Sequence, residues 1–169
     1  MPPPGSVPRS FAGRSYVSGM LSRATRSITV GLGRRLSEAG LSFAEYLVLV
    51  RLWRAWPATL VQSQLAVDLG VERSSMSTLL SSLEQRGLVA RSPDPDDGRR
   101  LHVYLTDRGR ALEPAVLRIV DEYEGELVKG MSAEQLEVLR HDLEQIQAYA
   151  LMLRSAGAAE KGSQRTMSQ

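Results

Sequence analysis

Apolar residues recur along this chain at two different periods. Over residues 16–36 they fall at Val17, Leu21, Ala24, Ile28 and Leu32, the three-and-four spacing of one helix face. Gly19, Gly31 and Gly33 weaken that helix, and Gly40 ends it. Ser42, with Glu45 three residues on, is a capping box that opens a second helix to about Trp53, before Trp56-Pro57 breaks it. A short third helix is predicted over residues 61–69, and after Gly70 a fourth over 73–86, with Met76, Leu79, Leu80 and Leu83 as its apolar stripe. Gly87 stands where a helix C-terminal glycine belongs. The period then drops to two. Residues 88–91 and 101–105 read as hairpin strands around Asp96, Asp97 and Gly98, with the glycine expected to supply a positive φ. Thr106 caps a fifth helix whose inner face is Leu112, Val116, Ile119, Tyr123 and Leu127, up to Gly130. Ser132 and Gln135 form a second capping box, and Leu136, Leu139, Leu143, Ile146, Ala150 and Leu153 make a heptad seam on the last helix.

The sum is a mainly α chain with a small β-hairpin. Residues 1–15 are rich in Pro, Gly and Ser and are predicted to be a disordered arm; 155–169 are small and polar and are predicted to be a flexible tail. A length of 169 residues with 43% hydrophobic content suits one domain between them, over 16–154.

Composition narrows the function by exclusion. There is no cysteine, so disulfides, thiolate metal sites and cysteine nucleophiles are out. The N-terminus has prolines where a secretory signal would be apolar, and the run 46–53 is too short to span a bilayer and carries Arg51. A cytoplasmic protein with no membrane partner is expected. His102 and His141 are the only histidines and have no partner at ligand spacing. No metal, cofactor or catalytic residue is predicted. The net charge of +2 is uninformative, but Lys129 and Lys161 are the only lysines. Nearly all positive charge is therefore arginine, whose planar fork suits phosphates and guanine edges. The bland alternative for most of that excess is a high-GC genome, which favours arginine codons.

The third and fourth helices, joined at Gly70, read as a helix-turn-helix. The outer face of the fourth offers Arg73, Ser74, Ser75, Ser77 and Thr78, then Ser81 and Ser82. Short hydroxyl side chains let a helix approach a major groove and can bond phosphates or bases. Serine is a mediocre helix former, so this run has a cost in propensity that points to work at the surface. Alone it would read as a solvated face. Followed at once by a hairpin tipped with Arg99 and Arg100, it reads as a DNA-binding surface.

The stretch LAVDLGVERSSMSTLLSSLEQRGLVARSPDPDDGRRLHVYLTDRG, residues 65–109, resembles the multiple-antibiotic-resistance regulators, the MarR family. The likeness rests on LEQRGLV at the end of the fourth helix, on the acid-x-Arg pair Asp97 and Arg99, and on Leu105-Thr106 with Gly109. Flanking helices extend it over about residues 16–153. The resemblance implies a winged helix-turn-helix with N- and C-terminal dimerisation helices: 42–106 as the DNA-binding lobe, 16–41 and 107–154 as the dimerisation helices. It implies that Arg99 enters a minor groove with Asp97 orienting it through a charge-assisted hydrogen bond, and that residues 73–81 face a major groove. It implies that Arg100 and Arg91 touch phosphates. Glu72 departs from the family by standing at the N-cap, and Gly98 inside the acid-x-Arg pair should loosen the tip.

A single winged domain neutralises few phosphates, so a homodimer on a pseudo-palindromic double-stranded DNA operator is expected. Val17, Leu21, Leu136, Leu139, Leu143, Ile146 and Leu153 are the candidate interface, because a monomer would leave them as a large apolar patch. The resemblance also implies a small aromatic or lipophilic effector that relieves repression, with Arg26, Tyr46, Trp53 and Trp56 as candidate pocket residues. The alternative is a winged helix used for protein contact, as an antirepressor without specific operator binding.

Overall fold

The computed structural model describes residues 14–166, with side chains for 17–153. The elements run α1 (Arg14–Glu38), α2 (Phe43–Ala55), β1 (Leu60–Val61), α3 (Gln62–Asp68), α4 (Arg73–Gln85), β2 (Val89–Pro93), β3 (Leu101–Leu105), α5 (Asp107–Leu127) and α6 (Ala133–Thr166). The arm expected over 1–15 lies outside the described residues except for Arg14 and Ser15, which already belong to α1. The chain divides into two compact units, Met1–Tyr123 and Glu124–Gln169.

In the first unit, local chemistry sets the helix ends. The capping box at α2 is formed: Ser42 N–H donates to Glu45 Oε2 at 2.9 Å, and Glu45 N–H donates to Ser42 Oγ at 3.2 Å. At the end of α4, Gly87 adopts φ +67°, which an L side chain reaches at a cost of about 1 kcal/mol. That conformation lets Leu88 N–H reach back to Leu83 O and Gly87 N–H to Glu84 O, both at 2.9 Å, satisfying carbonyls the helix would otherwise strand. The expected stripe of α4 packs inward: Met76, Leu80 and Leu83 are fully buried and Leu79 partly. They meet Leu49, Leu52 and Leu65 in one core.

The sheet differs from the expected two-stranded hairpin. It has three antiparallel strands in the order β1-β3-β2, with Leu60 opposite Val103 on one side and Arg91 opposite Val103 on the other. Strand β1 is two residues long and runs straight into α3, too short to show alternation.

Two glycines serve packing. A Cβ at Gly31 would lie 2.6 Å from the Tyr123 hydroxyl, so the residue that weakens α1 in isolation admits Tyr123 of α5. A Cβ at Gly109 would lie 2.0 Å from the Leu88 carbonyl oxygen. There α5 is tied down: Gly109 N–H donates to Thr106 Oγ1 at 3.0 Å, and the Trp53 indole donates to Gly109 O at 3.0 Å. Val116 is fully buried, and Leu112, Ile119 and Tyr123 pack on the core as expected.

In the second unit, the Ser132–Gln135 capping box is also formed, with bonds of 2.8 and 3.2 Å. Leu127, expected on the inner face of α5, is 46% exposed. Helix α6 runs through Thr166, so the boundary expected at residue 155 is not a helix end; Ala156, Ala158 and Ala159 are strong helix formers.

Candidate nucleic-acid interface

The fourth helix separates its hydroxyl residues into two sets. Arg73, Ser74, Ser75 and Thr78, in its first two turns, are exposed, and Ser77 is half-buried. The N-cap residue Glu72 makes no side-chain cap, and Thr78 Oγ1 donates to Ser74 O at 3.2 Å. The last turns are tied into the protein. Ser82 Oγ donates to Glu45 Oε1 at 2.7 Å, and Arg86 Nη1 donates to the same oxygen at 3.3 Å. Glu45 is thus both the cap partner of Ser42 and the anchor of α4. It is buried, which alone would raise its pKa; the bonds from Ser42, Ser82 and Arg86 outweigh burial and hold its carboxyl below the usual glutamate value.

A second tie joins α4 to the wing. Arg91 of β2 donates through Nε (3.1 Å) and Nη2 (2.5 Å) to Glu84 Oε2, and through Nη2 to Ser81 Oγ at 3.2 Å. Arg91, expected at a phosphate, is occupied inside the protein. Its side chain is only 19% exposed. Ser81 likewise faces the wing strand.

The wing tip spans residues 94–100 between β2 and β3, and its geometry departs from the Asp-Gly hairpin expected. Gly98 does not have a positive φ. The loop is organised by Asp94. Its Oδ1 accepts from the N–H groups of Asp96 (2.9 Å) and Asp97 (3.2 Å), and its Oδ2 meets His102 Nε2 at 2.7 Å. Asp94 N–H donates to Arg100 O at 2.9 Å and Arg100 N–H to Asp97 O at 2.8 Å, closing the loop. The His102 bond, then the amides of Asp96 and Asp97, hold the Asp94 carboxyl at a pKa of about 2. The other ring nitrogen of His102 lies 2.9 Å from Thr59 Oγ1, just before β1. Asp97 does bond Arg99, but to its main chain: Oδ1 accepts from Arg99 N–H at 3.1 Å. Among the described residues no ion pair joins Asp97 to the Arg99 guanidinium, which is exposed with that of Arg100.

These exposed arginines converge. A cavity of about 300 Å³ is lined by Arg73 of α4, Arg99 and Arg100 of the wing, and Gln62 and Ser63 of α3. Among the described residues no acidic side chain lines it. Gln62 Oε1 is buried and, among the described residues, has no hydrogen-bond partner. Sequence reasoning missed Gln62 and Ser63, whose proximity to the wing follows from the unrecognised pairing of β1 with β3.

Val17, Leu139, Leu143, Ile146 and Leu153 are exposed, and Leu21 and Leu136 are half-buried. The four candidate effector residues have separate surroundings. Arg26 is exposed on α1, and Tyr46 packs on Phe43 at a centroid distance of 6.0 Å. Trp53 is in the core, and the exposed Trp56 ring lies 4.5 Å below the Arg110 guanidinium. Among the described residues there is no cluster of metal-ligating side chains, and no helix is long and apolar enough to cross a membrane.

The MarR family model matches residues 41–101, which span the helix-turn-helix and the wing loop. Solved structures extend the likeness. The transcriptional regulator PA3341 is 31% identical, over 80% of this chain and 98% of that one, with a TM-score of 0.70. A MarR-family transcriptional regulator from Rhodococcus sp. RHA1 is 29% identical over 80% and 95%, with a TM-score of 0.72. CouR from Rhodococcus jostii RHA1, solved with p-coumaroyl-CoA, is 26% identical over 77% and 90%, with a TM-score of 0.69. Fold, wing and extent of likeness agree: the chain belongs to the MarR family of winged helix-turn-helix transcriptional regulators, which are not enzymes.

Proposed function

We propose that the protein is a homodimeric, sequence-specific DNA-binding repressor of its own or a neighbouring gene, acting in the cytoplasm and released from its operator by a small organic ligand. The observation that carries the DNA reading is the convergence of Arg73, Arg99 and Arg100 on one cavity beside the exposed hydroxyl face of α4. Guanidinium groups without a lining carboxylate suit phosphates and a narrow groove, and exposed short hydroxyls suit base edges. In this reading residues 42–106 form the DNA-binding lobe. Arg73, Ser74, Ser75, Ser77 and Thr78 face the major groove, Arg99 the minor groove and Arg100 a phosphate, while Asp97 shapes the tip. Arg91 and Ser81 act by holding the wing against α4.

The dimer is supported by the exposed apolar side chains of α6, among them Leu139, Leu143, Ile146 and Leu153. An isolated helix gains little from exposing such a series, and a second copy would bury it. Residues 16–41 and 107–154 are then the dimerisation helices. The ligand is supported by CouR, which was solved with p-coumaroyl-CoA.

Binding of the full chain to a short palindrome from its own promoter, and to a random duplex, tests this at several salt concentrations. The reading predicts tighter binding to the palindrome at every salt, with affinity falling steeply as salt rises. Equal binding to both duplexes throughout would instead support the protein-contact reading.

A further inference from the structure

The wing tip is held by polar bonds rather than by burial. Residues 95–100 are all exposed and lie beyond the last pair of the β2–β3 ladder, Pro93 and Leu101. The bonds that shape the tip form a relay that starts in the sheet. His102 lies on β3, the central strand, opposite Val61 of β1 on one side and Ser92 of β2 on the other, so two ladders fix its position. Its half-buried ring bridges two segments: Nδ1 lies 2.9 Å from Thr59 Oγ1 and Nε2 lies 2.7 Å from Asp94 Oδ2. The other oxygen of Asp94 carries the relay to the N–H groups of Asp96 and Asp97. Asp97 in turn accepts from Arg99 N–H through Oδ1 and from Arg100 N–H through its carbonyl. Each link beyond Asp94 draws its donor from the main chain, so the relay places the arginines without using their guanidinium groups.

We propose that His102 is a positioning residue for DNA binding: through Asp94 it fixes the main chain from which Arg99 and Arg100 reach the nucleic acid, and it does so more firmly when its ring is protonated. That role rests on the function proposed above; the relay itself does not. A neutral ring can keep both bonds, with Nε2–H donating to Asp94 and the Thr59 hydroxyl donating to Nδ1. A protonated ring turns the first bond into a pair charged at both ends, roughly twice as strong as a neutral bond. Imidazole changes charge between about pH 5 and 8, and the Asp94 carboxyl, held at a pKa of about 2, is ionised throughout. The other charged groups on the elements packed against β3 are engaged elsewhere or exposed. Arg91 of β2 pairs with Glu84, Asp68 of α3 with Arg51 of α2, and Glu45 of α2 with Arg86. Arg54 of α2 and the tip residues Asp96, Asp97, Arg99 and Arg100 are exposed. A tip that is already ordered loses less freedom on meeting DNA, so affinity should rise as His102 takes up its proton.

The test measures the affinity of the full chain for a duplex that it binds, from about pH 5.5 to about pH 8. Wild-type affinity should fall several-fold as pH rises. In His102→Gln, whose amide can donate to Asp94 but takes up no proton, that fall should be lost; both proteins keep His141, so the difference belongs to residue 102. His102→Ala should bind about tenfold more weakly than the wild type at about pH 6, the size of one charge-assisted bond. Its salt slope should be unchanged, because no phosphate contact is removed. Should His102→Ala fail to fold, Thr59→Ala alters an exposed residue at the start of the relay and should weaken binding several-fold with an unchanged Tm. The same pH course in wild type and His102→Gln, or full affinity in both alanine variants, would overturn the positioning role. Asp94→Asn should also lose the pH dependence; if it keeps it, His102 acts on the DNA directly and the role through Asp94 is overturned. Without DNA, the amide NMR signals of Asp96 and Asp97 should move with pH at the midpoint of the His102 ring in the wild type and stay in place in His102→Gln. Tip amides that ignore the ring would overturn the relay. If the protein binds no duplex at all, that counts against the proposed function, and the NMR arm still decides the relay.

Discussion

The first two turns of α4 and its last two are written in nearly the same residues and do opposite work. Glu72, Arg73, Ser74 and Ser75 open the helix exposed. Ser81, Ser82, Glu84 and Arg86 close it bonded, to Arg91 on the wing side and to Glu45 on the α2 side. A six-hydroxyl helix looks uniform in the sequence; in the fold one end is bonded and the other exposed, and in the proposed function the exposed end reads DNA. The difference teaches that a recognition surface needs both. Free donors can choose among base edges only if the helix that presents them does not shift to suit each one.

The comparison can be broken most sharply at the reading end. Arg99→Ala should weaken binding to the preferred duplex by about 1–3 kcal/mol, roughly five- to a hundred-and-fiftyfold, and lower the slope of log affinity against log salt by about 1. Its urea midpoint should match the wild type, since the guanidinium is exposed. A fall in stability instead of affinity would place Arg99 in the fold.

At the fixed end the largest effect is expected from Glu45→Ala. It strands the donors of Ser42, Ser82 and Arg86, and should cost about 1–3 kcal/mol by urea unfolding. A smaller, paired experiment sharpens the contrast between serines. Ser82→Ala should lose about 1 kcal/mol of stability and leave the preferred DNA sequence unaltered. Ser75→Ala should keep its stability and change the sequence preferred. Exchanged outcomes would mean the two ends had been assigned backwards.

The smallest effect is in pH. Glu45 and Asp94 both have folded pKa values below their ordinary ones of 4.5 and 3.8. The stability each adds is therefore complete above those ordinary values and fades as pH falls through the folded ones, to about 2 for Asp94. The urea midpoint should drop on acidification below about pH 4.5, less so in Glu45→Gln, and Asp94→Asn should flatten the lower part of the curve. A midpoint that rises on acidification would contradict the bonding described for both carboxyls.

What could be read in advance follows the range of the interactions. The caps at Ser42, Thr106 and Ser132 and the stop at Gly87 are contacts between residues a few positions apart, so their spacing shows them. The stripe of Met76, Leu80 and Leu83 is periodic for the same reason. The misses are long-range. Strand β1 exists only because Leu60 and Val61 find β3 some forty positions later. Glu45 reads as a cap, yet its second partner, Ser82, is 37 residues away. Gly31 reads as a defect until Tyr123 fills the space it leaves. In the wing, Asp-Gly was the conspicuous pair, but the loop is longer than a two-residue turn and Asp94, at its root, makes the bonds. The arginines at the tip were legible, because their exposure needs no partner to explain it.

The central claim is that the free end of α4 and the wing read DNA sequence as a symmetric pair. Selecting bound duplexes from a random pool, with the full chain, measures this directly. An inverted repeat is expected, with half-site centres about 10–10.5 bp apart, one helical turn. A pool that stays random through successive rounds, or a consensus with a single half-site, would contradict it.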